Sequence, residues 1–185
     1  MNARKALAVV LAGMVIMLAG GCGRPVDAFR NRTSAFHRAT MSALEHYFTQ
    51  YGEYPDPAQP SVKAVIDGRE YEVSGALMLY QVLSGDGNDR IKTGLKPRPS
   101  NGQVEPEELV EVHMREMPGK IVRKTDVGWM LVDAFGHPFQ YSKGGPESVN
   151  KTYDLWSYGE HEPPAATDLN TKKAMAGKDQ WIVNW

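Results

Sequence analysis

From Val26 to Tyr51 the chain contains neither proline nor glycine. Residues 29, 33, 36, 40, 43, 44, 47, 48 and 51 are apolar or small. Those i+3 and i+4 steps put one face of a helix in register, so the spacing predicts an amphipathic helix over 26–51. At 1.5 Å per residue it would be about 35–40 Å long. Phe29, Phe36, Leu44, Tyr47, Phe48 and Tyr51 form the expected stripe, with Arg30, Arg32, His37, Arg38, Glu45 and Gln50 off it. Asp27 is placed to accept from the first-turn N–H groups, and Gly52 is the expected stop. A rod this long with one greasy side needs a surface to cover.

The surface is written later in the chain. Trp129 and Leu131 lead into a turn at Asp133 to Gly136, where Asp bonds its own downstream backbone and Gly accepts positive φ. Pro138 opens an alternating run with Phe139 and Tyr141 on one face, and Lys143-Gly-Gly-Pro146 breaks it. Tyr153, Leu155 and Ser157 then alternate against Asp154, Trp156 and Tyr158. The expectation is an α+β fold: a long N-terminal amphipathic helix packed on a small antiparallel sheet of three or more strands.

Between helix and sheet, residues 52–126 read as a variable region. Pro55, Pro57 and Pro60 hold an extended path. Val62–Ile66 and Arg69–Val73 flank Asp67-Gly68, a type I′ hairpin signal. Ser74 is the expected cap of a short helix over 75–83, with Leu77, Tyr80, Val82 and Leu83 able to face a core. From Ile91 to Lys124 the chain reads as a long loop or inserted arm, and its carboxylates Glu105, Glu107, Glu108 and Glu111 as a solvated face. Residues 127–185 supply the sheet and a C-terminal loop.

Residues 1–21 look like a signal peptide: Arg4-Lys5, an apolar run from Ala6 to Ala19, then Leu18-Ala-Gly-Gly-Cys22. This resembles a bacterial lipoprotein signal, in which the cysteine is acylated and becomes the new N-terminus. Cys22 is the single cysteine of the chain, so it has no internal disulfide partner, and lipidation is its expected role. Residues 22–185 would then be a lipid-anchored domain. Gly23-Arg24 carries no Asp retention residue, so in a diderm cell the outer membrane is the expected address. A net charge of −1 gives no basic field, which argues against nucleic acid as a partner.

Four segments carry a family resemblance. Tyr47-Phe-Thr-Gln-Tyr-Gly-Glu-Tyr-Pro55, with its closing Tyr54-Pro55 pair, resembles the end of the first helix in type II secretion pseudopilins. Asp133-Ala-Phe-Gly-His-Pro-Phe-Gln-Tyr141 resembles the signature of the major, G-type pseudopilin, matching it at Asp133, Gly136, Pro138 and Tyr141. Tyr153-Asp-Leu-Trp-Ser-Tyr-Gly159 is similar to its Asp-Leu-x-Ser-x-Gly strand, through Asp154, Ser157 and Gly159. Asp179-Gln-Trp-Ile-Val-Asn-Trp185 is similar to its Asn-Trp ending, Asn184 and Trp185 here. The resemblance implies a pseudopilin-like domain and partners among secretion-system or pilin-like proteins. Its N-terminus departs from the family: the fifth residue after the degenerate cleavage candidate Ala6 is Leu11 rather than Glu, and Gly20, Gly21 and Pro25 interrupt the apolar helix.

The resemblance also implies a calcium loop after the Ser-x-Gly strand, for which Glu160, Glu162, Asp168 and Asp179 are the candidate ligands. Separately, Ser84-Gly-Asp-Gly-Asn-Asp-Arg-Ile91 is similar to a single copy of the β-roll calcium repeat, through Asp86, Asn88 and Asp89. One copy supplies too few oxygens, so a helix C-cap followed by a polar turn is the favoured reading there. In the C-terminal loop a proline-stiffened segment pinned by Trp181 and Trp185 is favoured over calcium. The histidines at 37, 46, 113, 137 and 161 show no metal-ligand spacing, and no nucleophile elbow or phosphate loop occurs. The functional expectation is a non-enzymatic envelope lipoprotein acting as an interaction or accessory component of protein secretion. The alternatives are a lipid-anchored module binding a secreted substrate or polysaccharide, and a divergent filament-forming pseudopilin.

Overall fold

The computed structural model describes residues 25–57, 61–87, 100, 121–176, 178 and 180–185. The leader with Cys22, the Asn88-Asp89 pair, the carboxylate run of 105–111 and Asp179 lie outside those residues. The described chain is α+β, in the order α1 (Pro25–Tyr51), β1 (Lys63–Ile66), β2 (Arg69–Glu72), α2 (Ser74–Ser84), β3 (Val122–Thr125), β4 (Gly128–Leu131), β5 (Gln140–Lys143), β6 (Tyr153–Ser157), α3 (Leu169–Ala176) and β7 (Ile182–Val183). Among the described residues no helix is long and apolar enough to cross a membrane.

The long helix is present, but its buried face is rotated from the expected stripe. Thr33, His37, Thr40, Ala43, Leu44 and Tyr47 are buried, while Phe29 and Phe48 are each 40% exposed. The cause lies in what the helix covers. Thr33 Oγ1 accepts the Ala134 N–H at 3.1 Å, and His37 Nε2 meets the Leu155 carbonyl at 2.9 Å. Backbone groups buried under a helix cost free energy unless partnered, so short polar side chains take the inner positions. Phe29 and Phe48 move to the flanks, against Phe135 and Tyr54.

The strands form three antiparallel pieces, β1–β2, β3–β4 and β5–β6–β7. In the first, Asp67 and Gly68 have φ of 52° and 81°, the pair of positive values that a type I′ turn requires. The strand ahead of the Asp133 turn does not join the β5–β6 ladder as expected. It pairs with β3 in the register Val122↔Leu131, a ribbon that crosses the expected boundary at 126/127. A single bridge between Val132 and Pro138 and the Phe139 N–H on the Leu131 carbonyl link it onward to β5. The third strand beside β6 is β7, with Trp156 opposite Val183.

That makes β6 a central strand, buried at all five positions. One face, with Tyr153 and Leu155, joins Leu44, Tyr47, Phe139 and Tyr141 in a core completed by Met78, Leu79, Val82 and Leu83 of α2. The other face, with Trp156, meets Ile66, Tyr71, Val73, Ala76, Met130, Tyr158 and Trp181. The helix α2 wedges between the two cores and lies mainly on β4. A Cβ on Gly75 would stand 3.0 Å from the Tyr141 nitrogen, so glycine there lets α2 start flush against β5.

Two local expectations change. Ser74 is not the cap of α2 but its first residue, behind Val73; its hydroxyl accepts from the Val62 N–H and donates to Glu72. The C-terminal segment contains a helix, α3, where a proline-stiffened loop was expected. Trp181 does pack inward, stacked on Trp156 with centroids 6.3 Å apart, and Trp185 meets the same ring edge-on at 6.0 Å.

Candidate functional site

The residues that carry the family resemblance are interior locks. Asp133 is 1% exposed. Its Oδ1 accepts the backbone N–H groups of Phe135 and His137 at 2.8 and 2.9 Å, and its Oδ2 accepts the Ser157 hydroxyl at 2.5 Å. Burial pushes the Asp133 carboxyl above its ordinary value, with those donors pulling the other way. Gly136, at φ 84°, closes the turn with its N–H on the Asp133 carbonyl. Pro138 provides the bridge to Val132, and the His137 ring bonds the Gly159 carbonyl through Nδ1 at 2.8 Å.

Asp133, His137 and Ser157 are residue types that elsewhere make a catalytic triad. The geometry here makes something else. His137 reaches the Gly159 carbonyl and not Ser157, and the Ser157 hydroxyl hands its hydrogen to Asp133 while fully buried. A nucleophile needs a base at its oxygen and access to substrate. This arrangement pins a turn to β6.

A second lock surrounds Asp154, which is 0% exposed. It accepts the N–H groups of Val149 and Asn150, each at 2.9 Å, and the Lys172 ammonium at 3.0 Å. Lys172, 3% exposed, places its remaining donors on Ser142 Oγ at 3.0 Å and the Glu147 carbonyl at 3.1 Å. An ammonium has three N–H bonds, so these acceptors saturate it. It also lies 4.7 Å from the centre of the Trp156 ring. The tether fastens α3 and the 144–150 loop to the sheet. Reading the sequence missed Lys172: nothing marks it out among the lysines of a polar segment.

The other motif residues close the same body. The Tyr141 hydroxyl donates to the Pro55 carbonyl at 2.8 Å, joining β5 to the segment behind α1. Tyr54 donates to Glu45. Asn184 accepts the Leu155 N–H at 2.9 Å and donates to the Tyr153 carbonyl at 3.1 Å, holding the last residues beside β6.

The calcium candidates among the described residues do not come together. Glu160 takes Arg30 of α1 through both oxygens, at 3.1 and 2.9 Å. Glu162 pairs with Arg69, and Asp168 accepts the Thr171 N–H at the start of α3. Asp86 is buried, accepts the Tyr80 hydroxyl at 2.9 Å, and so belongs to the α2 C-terminus, where Gly85 is the left-handed cap. Among the described residues no three His, Cys, Asp or Glu side chains form a group that could hold a metal.

One cleft of about 460 Å³ lies beside the Lys172 tether, lined by Gln140, Ser142, Glu147, Trp156, Tyr158 and Thr167 among others. Aromatic and amide side chains at a cleft suggest a saccharide. Its Trp156 ring, however, is already engaged by Lys172, Trp181 and Trp185 and is only 5% exposed. Tyr158 is 4% exposed and bonded to Thr167. No family model matches the chain, and neither a curated protein nor a solved structure matches it at a significant level.

Proposed function

We propose that this chain is an envelope lipoprotein, anchored through Cys22, whose pseudopilin-like domain acts without catalysis as an interaction or accessory component of a type II secretion-like system. One observation carries the domain part of the reading. The residues shared with the pseudopilin motifs bond to one another or to the elements beside them: Tyr141 to Pro55, Asp133 to Ser157, and Asn184 to Leu155. Residues that resemble a family by chance have no reason to meet at the joints of a fold. The departure at the leader, with Leu11 in place of the family's Glu, favours a tethered role over a filament. The saccharide alternative is weakened by the covered Trp156, since a sugar needs an open ring face to stack on.

Mass spectrometry of the mature N-terminus, from full chain made in a diderm host, tests the anchor. Acylated Cys22, lost in Cys22→Ser together with membrane retention, is the expected result. A methylated residue near Leu7 would instead identify a divergent filament subunit. The secretion role is tested by deleting the gene in its own host and comparing exported proteins; an unchanged exported set sinks it.

A further inference from the structure

The inner row of α1 runs on past the body that it covers. Val26, Thr33, Thr40 and Tyr47 follow one another at steps of seven, so they share one side of the helix. Thr33, Thr40 and Tyr47 are buried, whereas Val26 is 40% exposed. Thr33 sits over the Asp133 turn, on the Ala134 N–H. One helical turn further out, Phe29 reaches only the rim of that turn, tilted on Phe135 with centroids 5.5 Å apart, and is itself 40% exposed. Val26 is the open end of the row.

What lies beside this overhang follows from the chain. Cys22 is four positions before Val26. An extended chain spans at most about 3.6 Å per residue, so a lipid on Cys22 holds Val26 within about 14 Å of the bilayer. Phe29 is three helical residues further, about 4.5 Å along the axis. Helical spacing puts Arg30 and Arg32 on either side of the Val26–Phe29 pair, with Asp27 on the far side. Arg30 is tied to Glu160, and Arg32 is exposed. An apolar strip between arginines suits a helix end lying in a membrane interface, where long basic side chains rest their stems on apolar surface and keep their heads at the phosphates.

We propose that the first two turns of α1 form a membrane-contact surface: Val26 and Phe29 enter the headgroup–acyl boundary of the bilayer that holds the Cys22 lipid, with Arg32 at its phosphates. The lipid fixes the distance and the apolar pair fixes the orientation, so the domain stands on its α1 end instead of swinging on a tether. This inference rests on the lipid-anchor reading and deepens it.

The test uses full chain made in a diderm host, with its N-terminus as processed there, placed one copy per nanodisc of phosphatidylethanolamine and phosphatidylglycerol with a headgroup spin label. The mass of the N-terminus is read first, and then the paramagnetic broadening of labelled Phe and Ala signals. Phe48 is the internal reference, since it is also 40% exposed but lies about 28 Å further along the helix. Phe29 and Ala28 should lose most of their intensity while Phe48 keeps most of its own. Val26→Ser combined with Phe29→Ser should restore much of the Ala28 signal, and Val26→Ser alone, which spares the Phe135 contact, should restore part of it. In an acylated chain, equal broadening of Phe29 and Phe48, or an Ala28 signal indifferent to the double variant, would overturn this inference and leave the anchor standing. An unacylated Cys22 would remove the anchor and this inference with it. Shielding of Phe29 that appears only in discs holding two copies would assign the surface to a second copy of the chain and overturn the inference as well.

Discussion

At the scale of single residues, polar side chains inside the fold decide more than the greasy ones. His37 was placed off the helix stripe from sequence, yet it is 3% exposed and bonded to Leu155. Burial lowers its affinity for a proton, with the hydrogen bond to Leu155 opposing. The native state therefore resists a proton that the unfolded chain accepts below about 6.5, so this histidine costs stability as pH falls through that value toward its lowered one. His37→Leu should lose about 1–3 kcal/mol at pH 7.5 from the unpaired carbonyl. The gap from the parent should narrow by pH 5.5, as read from urea melts at both values; a constant gap would show that His37 does not titrate differently on folding. Gly144 offers a second case. A Cβ there would stand 2.0 Å from the Lys151 carbonyl oxygen, whereas one on Gly145 meets nothing within 4 Å. Gly144→Ala should cost about 3 kcal/mol, the upper end for overpacking, and Gly145→Ala should stay within about 0.5 kcal/mol. Thermal melts of the pair check this. The Asp133 turn was legible, because Asp and Gly at those positions act on their own neighbourhood. The roles of His37 and Lys172 were not, because each depends on acceptors distant in the chain: Leu155 lies 118 positions from His37, and Ser142 and Asp154 lie 30 and 18 positions from Lys172.

At the scale of elements, α1 and α3 make a contrast. The long helix has enough periodic apolar surface to be found from sequence, though not enough to fix its rotation. Aromatics at 29 and 48 fit the 3.6-residue pattern as well as those that are buried, and only the carbonyl and N–H groups beneath choose among them. The short helix over 169–176 buries a single residue, Lys172, and so shows no apolar stripe at all. Its attachment rests on that ammonium and on Met175, which packs partly buried against the second core. Lys172→Met should strand the Asp154 carboxylate and cost about 3–5 kcal/mol, the range for breaking a buried pair. Adding Asp154→Asn should recover part of the loss. Hydrogen exchange should speed up first over α3 and the 144–150 loop; uniform acceleration across the sheet would contradict the tether.

At the scale of the whole molecule, two cores share one central strand, and the chain's last residues complete both the sheet and the second core. Asn184 holds the Leu155 N–H and the Tyr153 carbonyl, while Trp181 and Trp185 close around Trp156. A chain ending at Gln180 should lose its cooperative melt, since removing even one buried tryptophan costs about 3–5 kcal/mol. A sharp transition close to that of the parent, seen by circular dichroism, would show β7 to be an ornament. By itself the sequence determined the class of fold, the long helix, the tight hairpin at Asp67-Gly68, the turn at Asp133 and the inward packing of the final tryptophan pair. These are written in local periods and in turn chemistry that acts within a few residues. The tertiary structure alone decided which ribbon β4 joins, which side of α1 faces inward, that 169–176 is helical, and where Glu160, Glu162 and Asp168 spend their charge. Those outcomes turn on backbone groups and counter-ions brought close by folding, and nothing in the order of the residues states those distances.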